Sequence, residues 1–388
     1  MTQPHRRLRH GEAPAGADRL TGRLPRGSRW VLLAVLALAG LMVTAGPAAA
    51  DPARPTHYRA TVTGVVDAAG RHLPAVDAGV LEVEVLGGDA FLVVRAVPGT
   101  TVAVPGYEDE PYLRIAADGT VEVNARSPAR WLNDARYGAR DVQVPPQADA
   151  EAPPVWEVVA NDGTYAWHDH RIHVMTPVLP SQVDPNAGTV QRVWDTVVPM
   201  VVDGQRAEVR IDLDWVPGPS PFVAALLPLL LAVALSALLL ARPAAAPAAL
   251  ATVAAAGLGV GMATWLATPS GGDVEPALVV LPALALVLLA VGRGMARRAG
   301  GAGPARGRIA GRITRPSPEG GWLLVGAGVP LAVWGILLAP ALVRPIVPGP
   351  LPVGIVRGVT AAALAAGVAV GVLVVRRLLA DPLPASTV

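Results

Sequence analysis

The chain has 388 residues, 52% of them hydrophobic and 4% aromatic, with a positive mean hydropathy, which excludes an ordinary soluble protein and predicts membrane spans. It has no cysteine, so disulfides, thiolate zinc sites and iron–sulfur clusters are excluded. The net charge of +2 conceals an acidic segment, residues 51–220, which has 13 arginines against 24 acidic residues. The other arginines mostly flank apolar runs. Because no basic surface remains for phosphates, nucleic acid is excluded as a partner.

Residues 1–50 have the pattern of a secretory signal peptide. A polar segment with seven arginines precedes an apolar run at 30–44, and small residues at Ala48 and Ala50 precede Asp51. The polar segment is long, so an uncleaved signal anchor is the alternative. Either form predicts that the next segment lies outside the cell.

Residues 51–220 are predicted to form an extracytoplasmic all-β domain. Runs rich in valine and threonine alternate polar and apolar side chains, and turn sequences such as ADGT, NDGT and VDGQ separate them. About eight to ten such strands indicate one antiparallel sandwich with an immunoglobulin-like fold. Residues 126–154 lack the alternation and are predicted to form a long loop. The clearest strands are predicted at 58–66, 79–87, 90–97, 120–124, 155–162, 196–205 and 207–216.

Residues 221–376 are predicted to form an all-α transmembrane bundle of five helices. Each apolar stretch has about 17–24 residues, enough to cross a hydrocarbon core of about 30 Å. Ten arginines lie at the predicted inner ends and two at the outer ends, and this asymmetry predicts an outer sandwich and a cytoplasmic tail at 377–388. The protein is therefore predicted to be a multi-pass cell-membrane protein. The five stretches are 222–241, 245–268, 276–292, 322–342 and 355–375.

Two glycine pairs in these stretches, Gly257 with Gly261 and Gly367 with Gly371, have a G-x-x-x-G spacing that lets helix backbones approach closely. A dimerisation face is one interpretation. Packing inside a single bundle is the one we favour, because the spacing is frequent in helices rich in alanine and glycine. The spans contain few polar side chains, which favours an anchor or a platform for partners over a transporter.

The stretch 167–175, WHDHRIHVM, concentrates the chemistry of the chain. It is predicted to lie on a strand, where His168 and His170 share one face and His173 joins them only through a bulge at 171–172. Imidazoles with an acidic neighbour can hold Zn(II) or Cu(II), and a methionine adds a soft ligand suited to Cu(I). The predicted metal ligands are His168, Asp169, His170, His173 and Met175.

A structural role for the same cluster is the alternative. Tyr165, Trp167, Asp169 and Arg171 share a strand parity, so one face is predicted to carry both rings and an ion pair. If that face is core, the ion pair is buried and the histidines form hydrogen bonds to the backbone.

Catalysis has less support in the sequence than binding or a structural role. No serine lies in a nucleophile-elbow sequence, and no glycine-rich phosphate loop precedes a helix. The acidic triplet at 108–110 is predicted to lie in a solvated loop, because adjacent carboxylates rarely reach the opposed geometry of a glycosidase.

Several segments together resemble a family of uncharacterised exported membrane proteins from high-GC Gram-positive bacteria. The segments are EPYLRI, NARSPARWLNDAR from Asn124 to Arg136, YAWHDHRIH, VDG and the W-x-PGPSP that precedes the first span. The resemblance covers most of residues 100–222 and implies an exported, membrane-anchored protein with no established activity. Where the family usually has tryptophan after the last histidine, this chain has Val174.

The leading prediction from the sequence is a non-enzymatic cell-surface protein whose ectodomain binds a transition metal, copper or zinc, through the histidine cluster. The alternative is a structural or interaction module of the cell envelope, with a protein partner, in which the cluster belongs to the core. An exported hydrolase is the third prediction.

Overall fold

The structure is a computed structural model that describes residues 51–137, 142–300 and 318–380. The side chains at 296–300, 318–325 and 377–380 lie outside the described part. The predicted signal segment, 1–50, and the end of the predicted tail, 381–388, also lie outside it. These two predictions stay predictions.

Ten strands form two antiparallel sheets, which confirms the predicted β-sandwich. The strands are β1 (Tyr58–Asp67), β2 (Leu81–Leu86), β3 (Phe91–Ala96), β4 (Val102–Pro105), β5 (Pro111–Ile115), β6 (Val121–Asn124), β7 (Trp156–Ala160), β8 (Thr164–Trp167), β9 (Gln191–Val202) and β10 (Gln205–Trp215). One sheet has the order β1-β10-β9-β4-β5-β6-β7, and the other has the order β2-β3-β8. Apolar side chains from both sheets share one buried core, because alternate residues of each strand face inward.

The β9–β10 hairpin shows how the sequence specifies the strand register. Its turn consists of Asp203 and Gly204, whose φ angles are 48° and 77°. Positive φ at both positions is typical of a type I′ turn, which matches the twist of the flanking strands. The side chain of Asp203 accepts the amide N–H of Thr101 at 2.7 Å and so ties the turn to the start of β4. The predicted VDGQ turn is confirmed.

The predicted long loop at 126–154 is largely irregular in its described part. Besides the short helix α1 (Pro74–Asp77) between β1 and β2, the sandwich contains the short helix α2 (Pro128–Leu132) at the start of this loop. The rest of the described loop forms turns and extended backbone until β7 begins.

The chain continues into helices α3 (Pro221–Ala241), α4 (Ala246–Ala267), α5 (Ala277–Gly300), α6 (Pro318–Leu338), α7 (Pro340–Val343) and α8 (Val353–Ala380). In the described part, four segments are long and apolar enough to cross a membrane: Pro221–Ala241, Pro243–Ala267, Ala277–Met295 and Val353–Arg376. The described apolar part of α6, Gly326–Leu338, is shorter. A multi-pass membrane protein is therefore supported, and the helices begin within a residue or two of the predicted first, second, third and fifth spans.

Helices α5 and α6 meet at a backbone carbonyl that a proline leaves without its usual donor. Pro282 has no N–H, so the carbonyl of Leu278, four residues earlier in α5, receives no helical hydrogen bond from it. The indole N–H of the fully buried Trp334 in α6 donates to this carbonyl at 3.0 Å. An unsatisfied carbonyl is costly in a bilayer, so this bond stabilises the contact between the two helices.

Three of the four glycines of the two pairs pack against another helix of the bundle, which is the interpretation we favoured from the sequence. A Cβ atom on Gly261 would lie 2.3 Å from the carbonyl oxygen of Leu278, and one on Gly257 would lie 3.3 Å from Pro282. In α8, a Cβ on Gly367 would lie 2.6 Å from the Cβ of Ala332 in α6. Gly371 faces open space in the described part of the chain.

We expect Gly261→Val to lower the free energy of unfolding of the full-length protein in detergent by about 1–3 kcal/mol, because the new side chain overpacks a backbone contact. Gly259→Val is the matched control in the same helix, since no described atom lies within 4 Å of a Cβ at Gly259. Denaturant unfolding in micelles measures both. Equal losses for the two variants would mean that α4 does not pack on α5 through Gly261.

The sandwich is attached to two helix connections. Thr56 pairs with Ile346 through two backbone hydrogen bonds of 2.9 and 3.2 Å, in the connection between α7 and α8. At the edge of β8, the amide of Ala166 donates to the carbonyl of Ser270 at 2.8 Å, in the connection between α4 and α5. Gly271, with φ of 86°, packs under the ring of Tyr165, where a Cβ would be 2.6 Å from a ring carbon. These two connections therefore lie on the same side of the bundle as the sandwich.

Candidate functional site

The prediction that WHDHRIHVM lies on a strand is correct only for its first residue. Strand β8 ends at Trp167, and a turn follows. The carboxylate of Asp169 accepts the amide N–H of Arg171 at 3.0 Å, and the Asp169 carbonyl accepts the amide of Ile172 at 3.0 Å. A short acidic side chain that captures the backbone two residues later favours a turn over a strand. The aspartate in the motif therefore ends the strand.

Asp169 forms a buried ion pair and does not have oxygens free for a metal. Arg171 donates to both carboxylate oxygens at 2.7 Å, and the indole N–H of Trp167 donates at 2.9 Å. Burial alone would raise the pKa of the carboxyl, but the hydrogen bonds and charge of Arg171 outweigh it and hold the pKa of Asp169 below its usual value. The buried pair beside Trp167 is thus confirmed, and these hydrogen bonds occupy the carboxylate that was predicted to bind a metal, so Asp169 as a metal ligand stays a prediction.

The turn brings the three imidazoles together without the predicted bulge. The ring centroids of His168 and His173 are 5.9 Å apart, and those of His170 and His173 are 5.4 Å apart. Both pairs have an edge-on geometry, with His173 in the middle. His168 and His173 are almost fully buried, whereas His170 is half-buried.

Each imidazole points a ring nitrogen at a backbone carbonyl of another segment. Nε2 of His173 donates to the carbonyl of Arg136 at 2.8 Å, and Nε2 of His170 lies 3.1 Å from that of Ala135. The two ring nitrogens of His168 lie 2.6 Å from the carbonyls of Ala90 and Asp51. These carbonyls belong to the β2–β3 turn, the loop after α2 and the segment before β1. The cluster thus joins three segments that are distant in sequence.

Burial favours neutral imidazoles in this cluster, but at His168 two carbonyls oppose it, because only a protonated ring can donate to both of them. Burial lowers the pKa of His168 and that of His170. Burial, together with the positive charge of Arg136, lowers the pKa of His173 to about 3. Since carbonyls only accept hydrogen bonds, the neutral His173 ring carries its proton on Nε2 and has a lone pair on Nδ1. Among the described residues, that Nδ1 has no hydrogen-bond partner.

Tyr107 organises the side of the cluster that carries His170. Its ring stacks on the imidazole with centroids 5.4 Å apart, and its hydroxyl oxygen accepts the amide N–H of His170 at 2.9 Å. The same hydroxyl donates to the side-chain oxygen of buried Asn133, and the guanidinium of Arg171 lies 5.2 Å from the ring centroid. Sequence reasoning missed Tyr107, which is 60 residues or more from the histidines and carries no motif of its own.

A second buried ion pair, also missed, supports the other side. Arg136 donates to both carboxylate oxygens of Asp89, whose side chain is fully buried. Burial raises the pKa of Asp89, and the charge of Arg136 opposes that effect. Arg136 and Asn133 both lie in the NARSPARWLNDAR segment. The polar residues of this segment were therefore the feature of the sequence from which this part of the core could have been found.

The metal site drawn from the sequence stays a prediction. Within the described residues, no group of three or more histidine, aspartate or glutamate side chains has the arrangement to hold a metal ion. Met175 is half-buried two residues beyond His173. The feature that favours a ligand is the lone pair of His173.

The prediction of a solvated acidic loop at 108–110 is wrong for Glu110, which is almost fully buried. Its carboxylate accepts the hydroxyl of Ser127 and the amide of Glu108, and it fills the space where Gly106 has no side chain. A carboxylate at the start of α2 is the anion that a helix N-terminus favours. Glu110 therefore stabilises the loop that leads to Asn133 and Arg136.

No known protein family, curated protein or solved structure matches the chain. The family resemblance drawn from sequence segments stays a prediction, and function has to be inferred from the site itself.

Proposed function

We propose that the protein is a non-enzymatic, multi-pass cell-membrane protein that holds a β-sandwich on the outer face of the membrane as a platform for an envelope protein partner. In this proposal His168, His170 and His173 form a hydrogen-bonded core that fixes the shape of the sandwich. The observation that carries it is that every imidazole of the cluster contacts a backbone carbonyl outside its own segment, and that these carbonyls come from three distant segments of the chain. Buried polar groups in such contacts specify one arrangement of the chain.

If the long helices span the membrane, the positions of their connections indicate five crossings. The sandwich contacts the connections after α4 and after α7, so both lie on the sandwich side. Since α3 starts six residues after the last strand of the sandwich and α8 starts seven residues after Ile346, crossings by α3, α4, α5, α6 and α8 alternate consistently. At about 1.5 Å per residue, the 21 residues of α6 span roughly 30 Å. The arginines of 293–315 and 376–377 then lie on the far side, which supports an outer sandwich.

A reporter that is active only in the cytoplasm tests this topology. Fused after Arg377 it should be active, and fused to a chain truncated after Gly271 it should be inactive, because the first fusion follows five crossings and the second follows two. Protease added to intact cells should also reach the sandwich. The reversed reporter pattern would contradict an outer sandwich.

The free edge of the larger sheet is a surface suited to a protein partner. In the described part of the chain β7 pairs only with β6, so its outer backbone groups are available. Val155, Val158 and Val159 are exposed there, and Val158 has 58% of its surface accessible. Exposed edge strands with apolar side chains template added strands.

The immunoglobulin-like assignment stays a prediction. The sandwich pairs a sheet of seven strands with one of three, whereas a constant-type immunoglobulin domain pairs about four with three.

Metal binding is a second candidate function, and the unpartnered Nδ1 of His173 favours it. A lone pair in a buried ring, with two further imidazoles at 5.4 and 5.9 Å, is a starting point for a copper or zinc site. Binding would require His168 to give up one of its two carbonyl contacts, or His170 to supply its second nitrogen. The hydrogen-bonded core is favoured because it uses the rings in the arrangement they already have.

A further inference from the structure

A cavity of about 460 Å³ lies where the sandwich meets the membrane helices. Its walls come from residues 51–58, from the segment 174–179 and from Trp215, the last residue of β10. Arg344, the residue directly after α7, is the part of the cavity lining that comes from the helical region. Trp215 is only six residues before α3 begins. The cavity therefore lies at the level where the apolar helices start, and its volume is in the range of small-molecule sites.

The cavity has an excess of positive charge. Arg54, Arg136 and Arg344 line it against a single carboxylate, that of Asp51. Arg136 is neutralised by Asp89, and Arg54 forms only a long ion pair of 3.8 Å with Glu275, with 71% of its own side chain exposed. The Arg344 side chain donates to the backbone carbonyl of Pro55 at 2.6 Å. Among the described residues no carboxylate lies within 4.0 Å of Arg344, so its charge is not neutralised by an acidic partner.

The rest of the lining includes aromatic and apolar side chains. The imidazole of His57 stacks on Trp215, with centroids 5.4 Å apart and planes 9° apart, and lies 3.0 Å from the carbonyl of Val216 through Nδ1. Val174 and Leu179 also line the cavity, and Leu179 is 37% exposed. A ligand that matches both parts of the lining has an anionic group for the arginines and an apolar part for the rings and aliphatic side chains. Tryptophan and arginine are also the side chains that bind the headgroup level of a bilayer.

We infer that this cavity binds the phosphate-bearing headgroup of a membrane lipid, with Arg344 and Arg54 on the phosphate and Trp215 beside the glycerol and the start of the acyl chains. Guanidinium groups bind phosphate oxygens through charge-assisted hydrogen bonds. A lipid is favoured over free phosphate because the site adjoins helix ends and has an apolar wall that a free phosphate would not use. The inference rests on the proposed membrane placement of the helices. It deepens the platform role by giving the sandwich a lipid contact at its base.

The test uses the full-length protein in a neutral detergent and measures binding of dioctanoyl phosphatidylglycerol, with glycerol 3-phosphate as the headgroup without chains. We expect saturable binding of the lipid, and glycerol 3-phosphate should bind at least about tenfold more weakly. Arg344→Gln and Arg54→Gln should each weaken lipid binding by about tenfold, the equivalent of one lost charged contact. Arg344→Lys should retain most of the affinity. Arg71→Gln, a change at an exposed arginine on the sandwich outside the cavity, is the matched control and should have no effect.

Absence of saturable lipid binding, or equal binding by wild type, Arg344→Gln and Arg54→Gln, would overturn the inference. Glycerol 3-phosphate that binds as tightly as the lipid would overturn it too, since the apolar wall would then contribute nothing. Arg54 is largely exposed and forms only one long ion pair, so its variant should fold even if Arg344→Gln does not. The binding assay in detergent does not depend on membrane orientation, so its failure is distinguishable from a reversed reporter pattern.

Discussion

Asp169→Ala is expected to lower the free energy of unfolding of the full-length protein by about 3–5 kcal/mol, the cost of leaving one member of a buried ion pair without its partner. The carboxylate is fully buried and accepts hydrogen bonds from Arg171 and from the indole of Trp167. Its removal leaves the guanidinium of Arg171 uncompensated and releases the turn that follows β8. Tryptophan fluorescence during denaturant unfolding provides the measurement.

Asp195→Ala is the matched control, since Asp195 is an exposed aspartate on β9 in the same sandwich. Its effect should be within about 0.5 kcal/mol of zero, as for most surface substitutions. A loss for Asp169→Ala no larger than for Asp195→Ala would mean that the ion pair does not hold the turn.

His173→Ala is expected to cost about 2–5 kcal/mol without any metal present, because it opens a cavity in the core and leaves the Arg136 carbonyl unpaired. His72→Ala is the matched control, since His72 is an exposed histidine of the same domain. His72→Ala should lower the free energy of unfolding only slightly. Thermal unfolding of both variants in the presence of a chelator measures the difference.

We expect the free energy of unfolding to decrease as the pH falls. The folded-state pKa of His173 is about 3, below the value near 6.5 of an unfolded histidine, so the unfolded state binds the proton first as the pH falls. The stability contributed by the neutral ring is therefore fully present above about pH 6.5 and is lost progressively below it. Wild type should lose stability between pH 7 and pH 5, and His173→Ala should lose less. A variant with an unchanged pH slope would contradict the buried neutral ring.

The sandwich and the apolar helices could be predicted because their signals are local. Strand alternation and the DG turn follow from side-chain period and backbone conformation at single residues, as Asp203 and Gly204 show. Helix length follows from apolar run length. The interpretation of the first G-x-x-x-G pair as packing inside the bundle agrees with the close approach of Gly261 to a backbone carbonyl, whereas Gly371 of the second pair meets no described atom.

The geometry of the histidine cluster could not be predicted in the same way. The strand period suggested that three imidazoles cannot meet without a bulge, but the side chain of Asp169 competes for the backbone and turns the chain instead. The partners of the rings are carbonyl groups, which every residue has, so nothing in the sequence marks Ala90 or Ala135. The role of Tyr107 depends on tertiary packing for the same reason.

The most direct test of the hydrogen-bonded core is the unfolding temperature of chelator-treated wild type at pH 7.5, before and after addition of Zn(II) or Cu(II). A metal that binds only the folded state raises this temperature, and the rise grows with the concentration of free metal. If the histidines form a hydrogen-bonded core, we expect no metal-dependent change in wild type, together with a marked loss of stability in metal-free His173→Ala. A concentration-dependent rise in wild type that His173→Ala abolishes, with the metal-free variant as stable as wild type, would contradict it and assign the cluster to a metal.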